Sequence, residues 1–458
     1  MSWRHGVARD PRPGRHQALP LWPVVLAVAV RLIAWSMIPA GRFASDEESY
    51  YQVSTALLQG RQDLFWPPVT GWLLASLRVL LGSDALSTLR LAWIAMDVGC
   101  LLAVRTLAAR VGAVLFPDDR LRATRVVMLA TAGYALYLPA ISHAQFVTSE
   151  IPALLLVLAI LVLLTQPGAG TGVSAVGGFL AGVLALTRPS LLPLAALWPA
   201  AAVVTRPGGF RRAAVFMVVA ASVVSAHVYR NWRVSGEATI ATNSAYNFYI
   251  GNRDLYAEDL NLFDPRATPE QIEFRRQHFN GTLVYPTESP AQLQRQGWEW
   301  IARHPGTFVR RAIGRLARVL VPKTDVLEML GGEQAAGATS PRALALLLLT
   351  NLQWAIVLFG GLIGVVWLRR CSAEWSLLFA ATIVGSLLLC LIAISKPRYS
   401  FVFDPVLLIA AVPLLMSPRA VLSELQTSER RLIGVIAAFI LWGWAAFLIF
   451  SITSRMAL

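Results

Sequence analysis

Charge is what this chain has least of. Only 14% of its 458 residues are charged, against roughly 25% in soluble domains, while 56% are hydrophobic. That balance excludes a soluble globular fold and leaves a polytopic membrane protein. Lysine is scarcer still: it stands only at Lys323 and Lys396, so the net charge of +14 is almost wholly arginine. Cys100, Cys371 and Cys390 are too few for a disulfide framework, and no CxxC or Cys/His spacing suggests a structural zinc site. No aromatic-basic module for reading nucleic acid is present, so the cationic excess suits anionic lipid head groups and no nucleic-acid partner. There is no internal repeat and no low-complexity tract, and the Asn-x-Thr at Asn280 matters only in a eukaryote.

In place of charge there are apolar runs. Eleven segments have the length to cross a ~30 Å hydrocarbon core, if some tilt or pack inside the bundle: 20–39, 86–109, 123–141, 150–166, 172–187, 190–205, 211–229, 342–368, 374–394, 401–417 and 432–452. They predict an all-α bundle of about 11 transmembrane helices, with Arg188-Pro189 dividing the two shortest. The first run follows Arg4, Arg9, Arg12 and Arg15; it is long and lacks a small-x-small cleavage site, which makes it an uncleaved span.

Placing the N-terminus in the cytoplasm puts Arg110, Arg120, Arg122 and Arg125 in inside loops, followed by Arg206, Arg211 and Arg212. Arg369 with Arg370, and Arg419 with Arg430 and Arg431, continue the positive-inside pattern. The chain then divides into an N-terminal transmembrane module (1–229, first external loop 40–85), an external segment (230–341) and C-terminal helices (342–458). Tyr285, Trp298, Trp300 and Phe308 make the external segment partly ordered. Near its end Phe308, Ile313, Leu316 and Leu320 oppose Arg310, Arg311, Arg315 and Arg318, the pattern of a helix lying on the membrane.

This topology brings the sharpest polar groups to one external face: Asp46 to Glu48, the loop 142–150, the turn 186–190, residues 230–232 and the turn 395–399. A transporter would place such groups near the bilayer midplane, on broken helices. Ser45 with Glu48 forms the pattern of a capping box, Tyr50, Val53 and Leu57 line one helix face, and Gly60 ends it. That accounts for Glu48 but not for Asp46 and Glu47 at a surface of negative lipid. Within the spans, Arg31 and Asp97 are expected to pair with each other. His143 and His227 are expected to be structural, and the glycines of "GGFLAG" to be helix-packing positions.

The stretch "SDEESYYQVSTALLQG", followed by "WPPVTGWLLASLRVLLG", resembles the first external loop of the GT-C glycosyltransferases, in the branch of protein O-mannosyltransferases and aminoarabinose transferases. The resemblance continues at "FVTSEIPALLLVLAILVLL", "LALTRPSLLPL", "RNWRVSGEATIATNSAYNFYIGN" and "KPRYSFVFDPVLLIAA", and covers about residues 20 to 415. It implies a GT-C fold and an inverting enzyme of the cell inner (plasma) membrane. The donor would be a polyprenyl-phosphate sugar, and a glycan, glycolipid or protein hydroxyl on the external or periplasmic side would accept it.

A lipid phosphate is a good leaving group, so one general base should suffice, where hydrolytic inverting enzymes need two carboxylates. By match to the first-loop motif Asp46 is the candidate base, with Glu47 as the alternative. Glu150 is either an N-terminal helix acid, a ligand to acceptor or sugar, or a partner of Asp46 in holding a cation. No cofactor is required, and a divalent metal stays open. Arg188, Arg230, Lys396 and Arg398, with Tyr399, lie at external span ends where a lipid-linked phosphate would sit; arginine there either snorkels or pairs with phosphate. The rival reading is a lipid or glycolipid flippase without chemistry, and a third is a non-catalytic scaffold of envelope assembly.

Overall fold

The structure, a computed structural model, describes residues 20–39, 41, 43–44, 46–205, 208–254, 288–330 and 340–456. Arg4, Arg9, Arg12, Arg15, Ser45, Arg206, Asn280 and Tyr285 lie outside the described residues. Among those described, every regular element is helical. In chain order these are α1 (Trp22–Met37), α2 (Glu47–Leu58), α3 (Pro68–Leu81), α4 (Leu86–Leu115), α5 (Arg120–Ala135) and α6 (Leu138–His143). Next come α7 (Glu150–Leu164), α8 (Thr171–Thr187), α9 (Leu194–Thr205), α10 (Gly209–Ser235) and α11 (Asn243–Gly251). After α12 (Pro290–Arg303) and α13 (Pro305–Val319) follow α14 (Pro341–Leu368), α15 (Ala373–Leu388), α16 (Asp404–Met416), α17 (Pro418–Glu424) and α18 (Thr427–Met456).

Five helices are long and apolar enough to cross a membrane by themselves: α4, α10, α14, α15 continued to Leu391, and α18. A sixth span results if α16 and α17, bent by 102°, are taken together. The other expected segments fall on shorter helices. α1, α7 and α8 have 16, 15 and 17 residues, about 22–26 Å at 1.5 Å per residue, short of a ~30 Å core. The expected span 123–141 is broken between α5 and α6, where Tyr137 is extended (φ −71°, ψ 107°) and Pro139 stands in the first turn of α6, where its missing N–H costs nothing.

Close packing rests on glycine where helices cross. A Cβ on Gly364 of α14 would overlap the Ala410 carbonyl of α16, and one on Gly361 would stand 2.6 Å from Leu407. On α8, a Cβ on Gly178 would overlap the Phe216 carbonyl of α10, and one on Gly182 would meet Val223 at 2.6 Å. The "GGFLAG" glycines therefore do let two backbones approach. Arg31 pairs with Asp97 in the interior as expected, donating also to the Ala135 carbonyl at 2.9 Å, while Tyr134 donates to Asp97 at 2.6 Å.

The helix expected to lie on the membrane is α13, but two of its arginines face the protein. Arg315 is fully buried and donates to the carbonyls of Leu391 (3.0 Å) and Gly251. Arg311 donates to the Arg253 carbonyl at 2.8 Å and stacks over Trp300 at 4.4 Å, whereas Ile313 is exposed. The physical reason is donor capacity. A guanidinium carries five N–H groups and satisfies terminal carbonyls of two helices at once, which an apolar side chain there would leave unpaired.

Candidate active site

Four separate stretches deliver charge to one place, and proline sets two of them. Arg188 ends α8 in extended conformation (φ −142°, ψ 97°) because Pro189 follows it. Lys396 is likewise extended (φ −137°, ψ 150°) before Pro397, which opens the 3-10 turn Pro397–Val402 carrying Arg398 and Tyr399. Glu150 is the first residue of α7, and Asp46 stands at the N-cap position of α2.

Arg398 joins them. Its Nη2 donates to Asp46 Oδ2 at 2.5 Å, and its Nε lies 3.4 Å from Glu150 Oε1. The same Glu150 oxygen is 2.8 Å from Arg188 Nη1, so one buried carboxylate lies between two guanidinium groups. Arg188 lies over the Tyr399 ring at 5.1 Å, a cation–π contact. Burial first, and then the Asp46 charge, push the Tyr50 hydroxyl up; burial pushes Tyr399 up to about 12 against the opposing pull of Arg398 and Arg188. Burial lowers both arginines, but Glu150 beside Arg188, and Asp46 with Glu150 beside Arg398, outweigh it and raise them. Both stay cationic.

The three acids of the opening motif part company. Glu47, expected as the alternative base, is fully buried and engaged on both oxygens. Oε1 accepts from Arg90 Nε (3.1 Å) and the Val147 amide (2.7 Å); Oε2 accepts from Arg90 Nη2 (2.8 Å) and the Ala44 amide (3.0 Å). It clamps the first loop to α4 and to the loop before α7. Glu48 is exposed and accepts from Gln52 at 3.2 Å. Asp46 alone is left half-buried at the arginines.

Two further expectations divide. Lys396 is half-buried and has no ion-pair partner among the described residues. Arg230, expected at the phosphate site, is exposed on α10 and its hydrogen bond goes to Asn231 (3.3 Å); among the described residues no contact brings it to the Asp46–Arg398 cluster. Residues 230–232 continue α10, and the chain beyond it folds back onto them, Asn231 donating to the Thr239 and Ile240 carbonyls and His227 bonding Ile240.

The 3-10 turn Asp325–Leu330 adds acids that no sequence motif marked. Glu328 is pushed up to about 7, by burial first and then by the Asp325 charge, and it feels Arg398, Glu150 and Asp46 in turn. His143 packs on the Phe401 ring with centroids 4.3 Å apart, and burial pushes it down to about 4 against the pull of Asp325 and Glu150. Lys323, just before this turn, is buried over Trp354 and bonded to Ser400 and, at 2.9 Å, to Asp404, which also accepts from Tyr137 at 2.8 Å. That network fastens the turn bearing Asp325 and Glu328 to the one bearing Arg398. The one signal for it in the sequence was that Lys323 is one of only two lysines.

The space between Asp46 and Glu150 is filled by the Arg398 guanidinium. Among the described residues no group of three His, Cys, Asp or Glu side chains is placed to hold a metal ion.

No family model matches the chain, and no curated protein matches it. Among solved structures it is similar to crystal structures of the oligosaccharyltransferase of Archaeoglobus fulgidus, each at 12% identity over 95% of this chain. One is tethered through a disulfide to an acceptor peptide containing the NVT sequon (TM-score 0.45, 55% of that chain), and one is a complex with Zn and sulfate (TM-score 0.46, 52% of that chain). The third is in the apo form (TM-score 0.44, 56% of that chain). The chain thus spans about half the length of the structures it matches.

Proposed function

We propose that this chain is a membrane glycosyltransferase of the GT-C kind, moving a sugar from a polyprenyl-phosphate donor to a hydroxyl acceptor. The observation that carries the reading is the bridge made by Arg398. An acid from the first loop and an acid from α7 meet a half-buried Arg398 and a buried Arg188 where several apolar helices end. The resemblance of the motifs supplies the same residues. A lipid-linked phosphate needs cations at the end of an apolar path, and planar guanidinium groups match its oxygens in bidentate fashion.

Arg398 and Arg188 then hold the phosphate of the donor, with Lys396 beside them. As the anomeric C–O bond breaks, the electron pair passes to the phosphate oxygen and the arginines stabilise the growing charge. The acceptor oxygen attacks the opposite face of the anomeric carbon, which inverts it, and the acceptor proton passes to Asp46. Asp46 is the group for this because its carboxylate is partly open, whereas every lone pair of Glu47 that points at a donor is taken. Glu150 holds the arginine pair together, since two guanidinium groups on one side would otherwise repel.

The test is mass spectrometry of envelope glycans and glycolipids from a deletion strain complemented with the natural chain or with Asp46→Asn at matched expression. Loss of one sugar on deletion, restored by the natural chain and not by Asp46→Asn, supports transfer. Full restoration by Asp46→Asn would remove the base and bring the flippase forward.

A further inference from the structure

Two carboxylates meet Arg398, and they are held very differently. Glu150 is 3% exposed in its side chain and engaged with Arg188 as well as Arg398. Asp46 is 31% exposed, and among the described residues Arg398 is the partner of its carboxylate. Although it stands at the N-cap of α2, its side chain makes no cap hydrogen bond. Glu150 is therefore a fixed part of the arginine pair, and Asp46 is an exchangeable anion on its open side.

The Arg398 Nη2 that Asp46 occupies at 2.5 Å is also an N–H group with which a phosphate oxygen would pair. A carboxylate already seated there repels a second anion and satisfies the donor that would attract it. On the glycosyltransferase reading, we propose that Asp46 and the donor's phosphate are alternative occupants of Arg398. Seating the phosphate displaces the carboxylate, and the displaced carboxylate is the base that receives the acceptor's proton. Donor binding and release of the base are then one exchange. The acceptor meets an unpaired base only when the sugar is in place, which imposes donor before acceptor. After transfer, Asp46 returns to Arg398 and helps expel the polyprenyl phosphate.

The exchange has a signature that a simple base lacks. Removing the carboxylate should tighten the binding of a lipid phosphate, because the internal competitor is gone. We would measure binding of farnesyl phosphate to the full chain in detergent, for the natural sequence, Asp46→Asn and Asp46→Ala, with farnesol as the phosphate-free control. Both variants should bind farnesyl phosphate about 1.5-fold to fivefold more tightly, the range for losing a partly exposed ion pair. Farnesol should bind all three alike. Unchanged or weaker binding in a variant that retains the natural elution profile overturns the exchange and leaves the glycosyltransferase reading intact. If farnesyl phosphate binds neither the natural chain nor the variants more tightly than farnesol does, the lipid-phosphate donor fails and the exchange fails with it.

Discussion

Glu47 and Arg90, 43 residues apart, form a two-point ion pair in which both side chains are almost wholly buried. This pair decides what the neighbouring acid can do. With Glu47 turned inward to α4 and to the Val147 amide, the next residue back along the chain is turned outward to the arginines. One acid of the motif fixes the loop, and Asp46 is presented by it.

Glu47→Ala should therefore act on the fold before it acts on chemistry. It takes the carboxylate away from a buried, charged Arg90, a loss of about 3–5 kcal/mol. Melting of the detergent-solubilised chain should fall sharply, and Glu47→Leu with Arg90→Leu together should recover much of it. A Glu47→Ala variant that melts like the natural chain but transfers no sugar would instead give Glu47 a chemical role.

Asp46→Asn should do the reverse. Its carboxylate is partly exposed and no cap bond depends on it, so the melting temperature should move little. Turnover should fall by about 10²–10⁴-fold, the usual contribution of a general base. Retention of more than a tenth of the natural rate would rule out proton transfer to this group.

Asp46, Glu150, Arg188 and Arg398 with Tyr399 sit beside the ends of apolar runs, so hydropathy and the arginine pattern place them on one face, and they do meet. Arg230 was placed by the same reasoning and does not, because a span end says nothing of the direction its side chain takes. The Glu47–Arg90 clamp joins a loop to a helix interior, and no local pattern announces such a partner. In α13 the amphipathic period was visible but its sense was reversed at Arg311 and Arg315. A hydropathy scale gives arginine no credit for the helix-end carbonyls it can satisfy. Glu328 followed no motif at all; burial beside Asp325 singles it out.

The pH dependence of stability should contain two opposed contributions. Glu328 is raised to about 7, so between the ordinary carboxylate range and pH 7 the folded chain keeps a proton that the unfolded chain has lost. Its contribution is present at low pH and is lost as pH rises, at up to about 1.4 kcal/mol per pH unit. His143 is lowered to about 4, so between there and its ordinary value the unfolded chain binds the extra proton, and stability is lost as pH falls. The two oppose each other between about pH 4.5 and 6.5. Melting curves from pH 4.5 to 8 should then show Glu328→Gln losing stability more steeply on acidification than the natural chain. His143→Phe, which can keep the ring contact with Phe401, should lose it less steeply. Parallel curves for all three would mean that neither group titrates as its surroundings indicate.

Arg315 links α13 and the end of α11 to the turn that precedes Lys396 and Arg398, and its loss should be felt at the proposed phosphate site. The Leu391 carbonyl it holds belongs to the turn that ends the α15 span, a few residues before Lys396 and Arg398. The Gly251 carbonyl it holds ends α11, so one buried guanidinium ties two chain ends together. Arg315→Met leaves both carbonyls without that donor, each costing about 1–3 kcal/mol where burial keeps water out. Arg315→Lys offers a single point charge and should recover part of the loss. Because Arg315 touches none of the reacting groups, the KM for the lipid donor should rise more than kcat falls. Hydrogen exchange should quicken at residues 389–399 and at the end of α11 together. A kcat loss with unchanged KM and unchanged exchange would place Arg315 outside the positioning of Arg398 altogether.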